Sequence, residues 1–389
     1  MSHPIIIIGS GFAAYQLIKT IRRSDSTLPI WVFTRDDGHD YNKPDLSHVF
    51  SKQQGADELI TKRASEFADE FNITLYSQTR VEKIDVEQEH ILVEGKAYPY
   101  SKLVLATGAK AFVPPIEGDA VQDVLTLNSL SEYASAQQQL SQAQEVLLIG
   151  AGLIGCEIAM DLSSSGKQVT LVDPQSQLMA NLLPEFVAAP LHKIMTETGI
   201  SFELNNKVSS LSQHSDNSGN HNDKKIVAKL NSGKQIIVDA VISVAGLKAN
   251  LQLAQEAGLA TRQGIVVNAQ LQTSANNVYA LGDCAEIEGQ VKAYLQPILL
   301  SANTLAKVLQ GQSAELKLPP MLVKVKTPLL PIQLSGQTVR NIKHWQTQFD
   351  ELGSITKAYN DKNEMVGFIV TQEHMKQAFP LLRELSSAV

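Results

Sequence analysis

Two short stretches of this 389-residue chain place glycines at the spacing that lets a backbone close around a pyrophosphate. The first is Gly9-Ser10-Gly11-Phe12-Ala13-Ala14, and the second is Gly150-Ala151-Gly152-Leu153-Ile154-Gly155. In such a loop the first glycine permits a tight turn, and the second lets phosphate oxygens approach with no Cβ in the way. The third small residue keeps helix and strand close. Asp173 lies roughly 20 residues past the second loop, where a carboxylate binds both ribose hydroxyls and repels a 2′-phosphate. The residues after it, "PQSQLMAN", contain no lysine or arginine to receive a phosphate. The second loop therefore reads as a site for NADH rather than NADPH. In the first copy the strand "IWVF" ends at Thr34, with Arg35 and Asp36 just beyond. The ribose contact there falls to the Thr34–Asp36 turn, with no one side chain singled out.

These residues need a strand before them and a helix after them. "PIIII" is a short β-branched run that reads as a buried strand, and "AAYQLIKTIRR" has helical spacing. The second copy repeats the order, with "EVLLIG" as strand, "CEIAMDLSSSG" as helix and "KQVTLVD" as the next strand ending at Asp173. The unpaired amides at each helix start would face phosphate charge. One such loop is weak evidence of a site. Two, each with strand and helix in register, point to two dinucleotides; the competing reading is a duplication with one dead site.

Composition narrows the class. Hydrophobic residues make up 43% and charged residues 19%, the balance of a globular protein long enough for two or three domains. A formal net charge of -7 argues against a nucleic-acid partner. Cys156 and Cys284 stand far apart, with no CxxC or zinc-ligand spacing, so neither a disulfide framework nor a metal site is expected, and the cytoplasm is the default location. The leading apolar run "IIIIG" is too short for export or for crossing a bilayer, so no membrane partner is expected.

Between the loops lies "LVLATGA", and near residue 280 comes "TSANNVYALGDCAE". With the two glycine loops, these motifs resemble the pyridine nucleotide–disulphide oxidoreductase superfamily, in the right order over most of residues 1–310. The resemblance implies an α/β fold with two Rossmann-like dinucleotide-binding domains, one for FAD and one for NADH, and the nicotinamide placed against the flavin. It assigns Ala106, Thr107 and Gly108 to the strand end leaving the FAD domain, and Asp283 to the ribityl chain. It also assigns Val81 to adenine recognition through its backbone, and Gly246 to the segment returning from the NADH domain. "YNKPDLSHVF", "LQPILLSA", "LPPMLVKVKTPLLP" and "MKQAFPLLREL" are similar to rubredoxin reductases, essentially end to end. That similarity implies an iron–sulfur acceptor, a rubredoxin domain fused to a flavodiiron nitric oxide reductase, that is, a flavorubredoxin.

Members of the superfamily differ in what lies beside the flavin. Where some carry a reactive cysteine, this chain reads Leu46-Ser47-His48, so electrons would leave the flavin directly and singly. His48 reads either as a proton donor or as a structural residue. Cys156 and Cys284 read as small buried hydrophobes. The resemblance places Lys43 near the flavin and its phosphates and carries Glu157 to the flavin–nicotinamide junction, leaving a pairing with Lys43 open. Helix capping alone would also explain Glu157. "YLQPILLSANTLAKVLQG" reads as an extended entry followed by a helix, with Pro297 in its first turn. The amides near Leu295 and Gln296 are expected at the flavin edge that becomes negative on reduction. Lys324 and Lys326 alternate on one strand face, where they serve FAD (Lys326), an acidic partner or only solvent.

The expected organisation is a discontinuous FAD domain (1–112 and 243–312), an NADH domain between (113–242), and a small C-terminal α+β interface domain (313–389). The polar tract 209–225, with His214 and His221, reads as a hairpin loop rather than a metal site. Three functions compete: an NADH reductase for a flavorubredoxin, a reductase for a free rubredoxin or other iron–sulfur carrier, and an NADH-responsive flavoprotein sensor with slow turnover.

Overall fold

Four consecutive isoleucines, Ile5–Ile8, are buried on both faces, and this explains why the strand carries no alternating polar residues. The computed structural model describes residues 3–214 and 225–387. Ile5–Ile8 is the central strand of a parallel five-stranded sheet. It pairs with Ile30–Phe33 on one side and Lys102–Leu105 on the other; Thr74–Tyr76 and Val278–Ala280 form the edges. Burying each isoleucine contributes about 1.5–3 kcal/mol. The helix Phe12–Arg22 follows the first glycine loop, and its buried Leu17, Ile18 and Ile21 join the same core. The next strand in the chain, Ile30–Phe33, lies on one side of it and the later Lys102–Leu105 on the other, so its carboxyl end is the switch point where such sheets bind ligands.

The chain divides into two compact units. The first holds Met1–Lys43, Ala56–Lys110 and Leu247–Leu318; the second holds Pro44–Gly55, Ala111–Gly246 and Pro319–Val389. In the second unit a parallel four-stranded sheet runs Ser201–Leu204, Gln168–Asp173, Glu145–Ile149, Ala240–Ser243, again with the glycine-loop strand inside. The helix Leu153–Ser164 follows that loop. Three antiparallel strands, Val208–Gln213, Ile226–Leu230 and Gln235–Val238, form an accessory sheet. Gln213 opposes Ile226, so the polar tract is spanned by an antiparallel pair; His221 lies outside the described residues.

The second unit also contains a five-stranded antiparallel sheet, ordered Val323–Val325, Ile332–Gly336, Met365–Thr371, Gly353–Tyr359, His344–Asp350. The helix Ala378–Ser387 packs on it through Ala378, Leu381 and Leu385 against Phe368 and Val370. The fold is thus α/β, with two Rossmann-like domains and a small C-terminal α+β domain. Among the described residues no helix is long and apolar enough to cross a membrane.

Candidate functional site

In the first loop, Gly9 adopts φ +114°, and a Cβ there would collide with the Ala106 carbonyl, so the "ATG" strand end and the glycine turn fit only without a side chain. Gly11 is the N-cap of Phe12–Arg22; no side chain caps that helix, and a Cβ on Gly11 would meet nothing within 4 Å. The loop therefore leaves both open space and unpaired amides at the positive end of a helix dipole. Thr34 is buried at the end of the neighbouring strand, and Ser10 donates to its hydroxyl at 2.8 Å. Asp36 donates its N–H to the same oxygen at 3.2 Å, while Arg35 is exposed. A pair of hydroxyls thus stands where the second loop has a carboxylate. The helix start Phe12, Ala13, Ala14 packs against the "GD" turn: a Cβ on Gly282 would lie 2.7 Å from the Ala13 Cβ.

That packing places Asp283, whose carboxylate lies 3.7 Å from the Lys43 ammonium. Cys284 is fully buried next to it, its Sγ 3.4 Å from the carbonyls of Leu105 and Leu281, and burial pushes its thiol pKa up. Thr107 and Asn250 exchange bonds: the Thr107 hydroxyl donates to the Asn250 carbonyl at 3.2 Å, and the Asn250 side-chain amide donates to the Thr107 carbonyl at 2.8 Å. Asn250 N–H also reaches the Gly108 carbonyl at 3.0 Å, and Gly108 takes φ +63°. Val81 is buried immediately before the strand Lys83–Asp85. The helix Leu295–Leu309 starts two residues before Pro297, so Pro297 occupies the first turn. Tyr294 caps it without a side-chain bond, so the amides of Leu295 and Gln296 carry the helix's positive end.

The second loop repeats the design. Gly150 has φ +118°, and a Cβ there would sit 2.7 Å from the Val244 carbonyl. A Cβ on Gly155 would collide with the Gly150 carbonyl, whereas one on Gly152 would meet nothing within 4 Å. Gly152 is the N-cap of Leu153–Ser164 and has no side-chain cap. Ile154 is 49% exposed in the first turn, whereas Gly155 to Leu162 are all buried. Asp173 ends its strand; its Oδ2 accepts the Ala151 N–H at 2.7 Å and its Oδ1 the Gln175 N–H at 2.8 Å. Each oxygen keeps a further lone pair for a hydroxyl donor. Gly246 has φ +105° and accepts the Phe112 N–H at 2.9 Å, just after the strand Ala240–Ser243. Cys156 is buried, and burial pushes its thiol far up.

Glu157 is 3% exposed. Its Oε2 accepts the Ser47 hydroxyl at 3.0 Å and its Oε1 the Lys326 N–H at 3.0 Å. One turn on, buried Asp161 accepts the N–H groups of Phe50 and Ser51 and the Ser51 hydroxyl. Sequence reading missed Ser47, Ser51 and Asp161 as a group. The available signal was a second acid four residues after Glu157 on a helix that is otherwise apolar. Lys324 and Lys326 are both exposed, and the Lys326 ammonium reaches the Pro44 carbonyl at 3.3 Å.

Both cradles fit a dinucleotide: each is Cβ-free where phosphate must approach, uncapped, and lined by tight backbone packing that only glycine allows. The second adds a carboxylate suited to free ribose hydroxyls; the first does not. Among the described residues no group of three or more His, Cys, Asp or Glu could hold a metal ion.

Comparison with known proteins gives the family. A family model described as pyridine nucleotide-disulphide oxidoreductase matches residues 3–302, and one described as rubredoxin binding C-terminal domain matches residues 315–385. The chain is similar to a Vibrio vulnificus (strain CMCP6) protein named nitric oxide reductase FlRd-NAD(+) reductase, 55% identical over 386 residues, covering 99% of each. A protein of the same name from Aliivibrio fischeri is 53% identical over 387 residues, covering 100% of each. Among solved structures, the ferredoxin reductase for the CYP199A2 system from Rhodopseudomonas palustris superposes with a TM-score of 0.87. It is 24% identical, over 99% of this chain and 96% of that one, and so shares the fold.

Proposed function

The chain belongs to the pyridine nucleotide-disulphide oxidoreductase family, and from that premise we propose that it is an FAD-dependent reductase passing electrons from NADH to the rubredoxin domain of a flavorubredoxin, in support of nitric oxide reduction. Bound FAD supplies a group that takes a hydride as two electrons and releases them one at a time. The overall balance is one NADH and two ferric rubredoxin centres giving NAD+, one proton and two ferrous centres.

The chain's residues divide the work. Gly9, Gly11 and the amides of Phe12, Ala13 and Ala14 hold the FAD pyrophosphate, and the Thr34–Asp36 turn takes the adenosine ribose. Val81, Ala106, Thr107 and Gly108 line the adenine and linker path. Asp283 binds the ribityl chain beside Lys43, and the amides of Leu295 and Gln296 stabilise negative charge on the flavin; Lys326 serves the same cofactor. Gly150, Gly152, Leu153, Ile154 and Gly155 hold the NADH pyrophosphate, Asp173 its ribose, and Gly246 and Glu157 the nicotinamide end. The domain reading proposed above goes with these roles: FAD on 1–112 and 243–312, NADH on 113–242, and the interface domain on 313–389. A cytoplasmic location belongs to the same reading, supported by two cysteines with no pairing motif.

The observation that carries the proposal is the pair of open, uncapped glycine cradles in one chain with a rubredoxin-binding module. The test is anaerobic stopped-flow reduction of the FAD-loaded protein by NADH, followed by titration with an isolated rubredoxin domain of a flavorubredoxin. Bleaching of the flavin within seconds and saturable rubredoxin-dependent NADH oxidation are expected. Bleaching over minutes with no acceptor-dependent turnover would favour a sensor instead. Equal turnover with unrelated iron–sulfur carriers would remove the flavorubredoxin assignment.

A further inference from the structure

The segment Pro44–Gly55 follows Lys43 in sequence, yet it belongs to the second compact unit, not to the one on either side of it in the chain. Its Leu46, Val49 and Phe50 are buried. Phe50 meets the Tyr133 ring edge-on at 6.0 Å, and the Tyr133 hydroxyl donates to the Gln54 carbonyl at 2.6 Å. Its polar anchors are two acids on the helix Leu153–Ser164, Glu157 and Asp161, four residues apart and therefore on one face. Neither forms an ion pair among the described residues. A buried carboxylate without a cation is stable only when its lone pairs are filled by donors. Asp161 meets that condition entirely from the strap: its Oδ2 accepts Phe50 N–H at 2.7 Å, and its Oδ1 accepts Ser51 N–H at 3.3 Å and the Ser51 hydroxyl.

The two acids differ in what they require. Ser47 offers Glu157 a hydroxyl, which can reverse and accept. Asp161 faces two backbone N–H groups, one at each oxygen, and neither can reverse. Only a carboxylate accepts both; an asparagine would turn an NH2 toward one of them. The backbone of the strap thus calls for an acceptor at both terminal atoms of residue 161.

We infer that Asp161 is a positioning residue for hydride transfer: it fastens the strap that starts beside Lys43 to the helix whose first turn forms the NADH loop. Lys43 is covalently joined to the strap and lies 3.7 Å from Asp283. Releasing the strap frees the backbone that carries Lys43, and hydride transfer responds to such misalignment far more steeply than nucleotide binding does. The inference rests on the proposed function, but its anchor is visible without turnover.

The test uses the full-length, FAD-loaded protein and its Asp161→Asn and Ser51→Ala variants. Three quantities are read: amide hydrogen exchange over residues 44–55, the affinity for ADP-ribose by calorimetry, and the rate of flavin bleaching by NADH. In Asp161→Asn the amides of Phe50 and Ser51 lose protection. ADP-ribose affinity stays within about twofold of wild type, while bleaching slows by about tenfold or more. Ser51→Ala keeps both backbone donors and slows bleaching by a smaller factor. A folded Asp161→Asn protein that bleaches at the wild-type rate overturns the inference, as does a loss of ADP-ribose affinity equal to the loss of rate. Should Asp161→Asn fail to fold, Ser51→Ala decides: a wild-type bleaching rate sinks the idea. Failure of wild type to bleach at all would instead remove the proposed function, leaving the exchange data to report on the strap.

Discussion

The backbone N–H of Lys326 donates to the Glu157 carboxylate at 3.0 Å, so a strand end of the C-terminal domain is fastened to the helix of the second glycine loop through main chain, whatever side chain stands at 326. The other carboxylate oxygen holds the Ser47 hydroxyl.

Glu157→Ala removes the acceptor of the Lys326 N–H, at a cost of about 1–3 kcal/mol, while the Ser47 hydroxyl falls back on the Pro44 carbonyl 3.2 Å away. Glu157→Gln keeps both bonds, because its carbonyl accepts from Lys326 and its NH2 donates to the Ser47 oxygen. Urea unfolding should show the alanine variant destabilised by about 1 kcal/mol or more, and the glutamine variant by less than half of that loss. Equal losses would mean that the charge, not the bonding, holds the junction.

The last two glycines of the second loop separate folding from binding. Gly155→Ala puts a methyl into the Gly150 carbonyl and should lower the melting temperature. Gly152→Ala meets nothing in the protein, so thermal stability should change little, while NADH affinity falls because the methyl enters the phosphate space. Calorimetric melting and NADH titration of both variants check this. A Gly152→Ala protein that binds NADH normally would place the pyrophosphate elsewhere.

At Asp173 both carboxylate oxygens already accept backbone N–H groups, from Ala151 and Gln175. Asp173→Asn forfeits one of these bonds and the charge-assisted bond to ribose. NADH should bind roughly ten- to a hundredfold more weakly, corresponding to about 1.5–3 kcal/mol. NADPH should change less, because a repulsive charge leaves at the same time. Equal weakening of both nucleotides would refute the ribose role.

Glu286 gives a pH signature in the first unit. Burial raises its pKa, but the N–H groups of Gly264 and Gln263 and the Arg262 guanidinium outweigh burial, so it ends below the usual carboxylate range. A folded-state value below the unfolded one contributes stability that is complete above the unfolded carboxylate range and is lost as pH falls through the folded value. The melting temperature of Glu286→Gln should therefore lie below wild type at neutral pH, with the gap closing as pH drops below that range. A constant gap would show that packing rather than charge is responsible.

Much of this was readable in the residues because the strand, glycine turn and helix of each cradle are contiguous in the chain. Strand, glycines and helix lie within about 20 residues, although the clashes that demand Gly9 and Gly150 come from the distant Ala106 and Val244 carbonyls and only Gly155 answers to its own loop. The helix start at Leu295 was likewise legible from Pro297. What escaped was long-range pairing. Asp161 meets partners more than a hundred residues away, and nothing in "CEIAMDL" says whose amides will fill its lone pairs. Ser10 and Thr34 form a pair for the same hidden reason: the parallel pairing that aligns Ile8 with Phe33 brings their strand ends together. The C-terminal strands could be seen as β-rich, but their order in the sheet follows from packing, not from local pattern.

The excursion Pro44–Gly55 also bears on how such a chain can be dismantled or recombined. Anyone excising the first nucleotide domain would carry along twelve residues whose Leu46, Val49 and Phe50 have lost their cover. That exposed patch invites aggregation, whereas a short polar bridge from Lys43 to Ala56 would avoid it. For the same reason, swapping nucleotide domains between homologous proteins by a single pair of crossover points should fail unless the strap travels with the helix it grips.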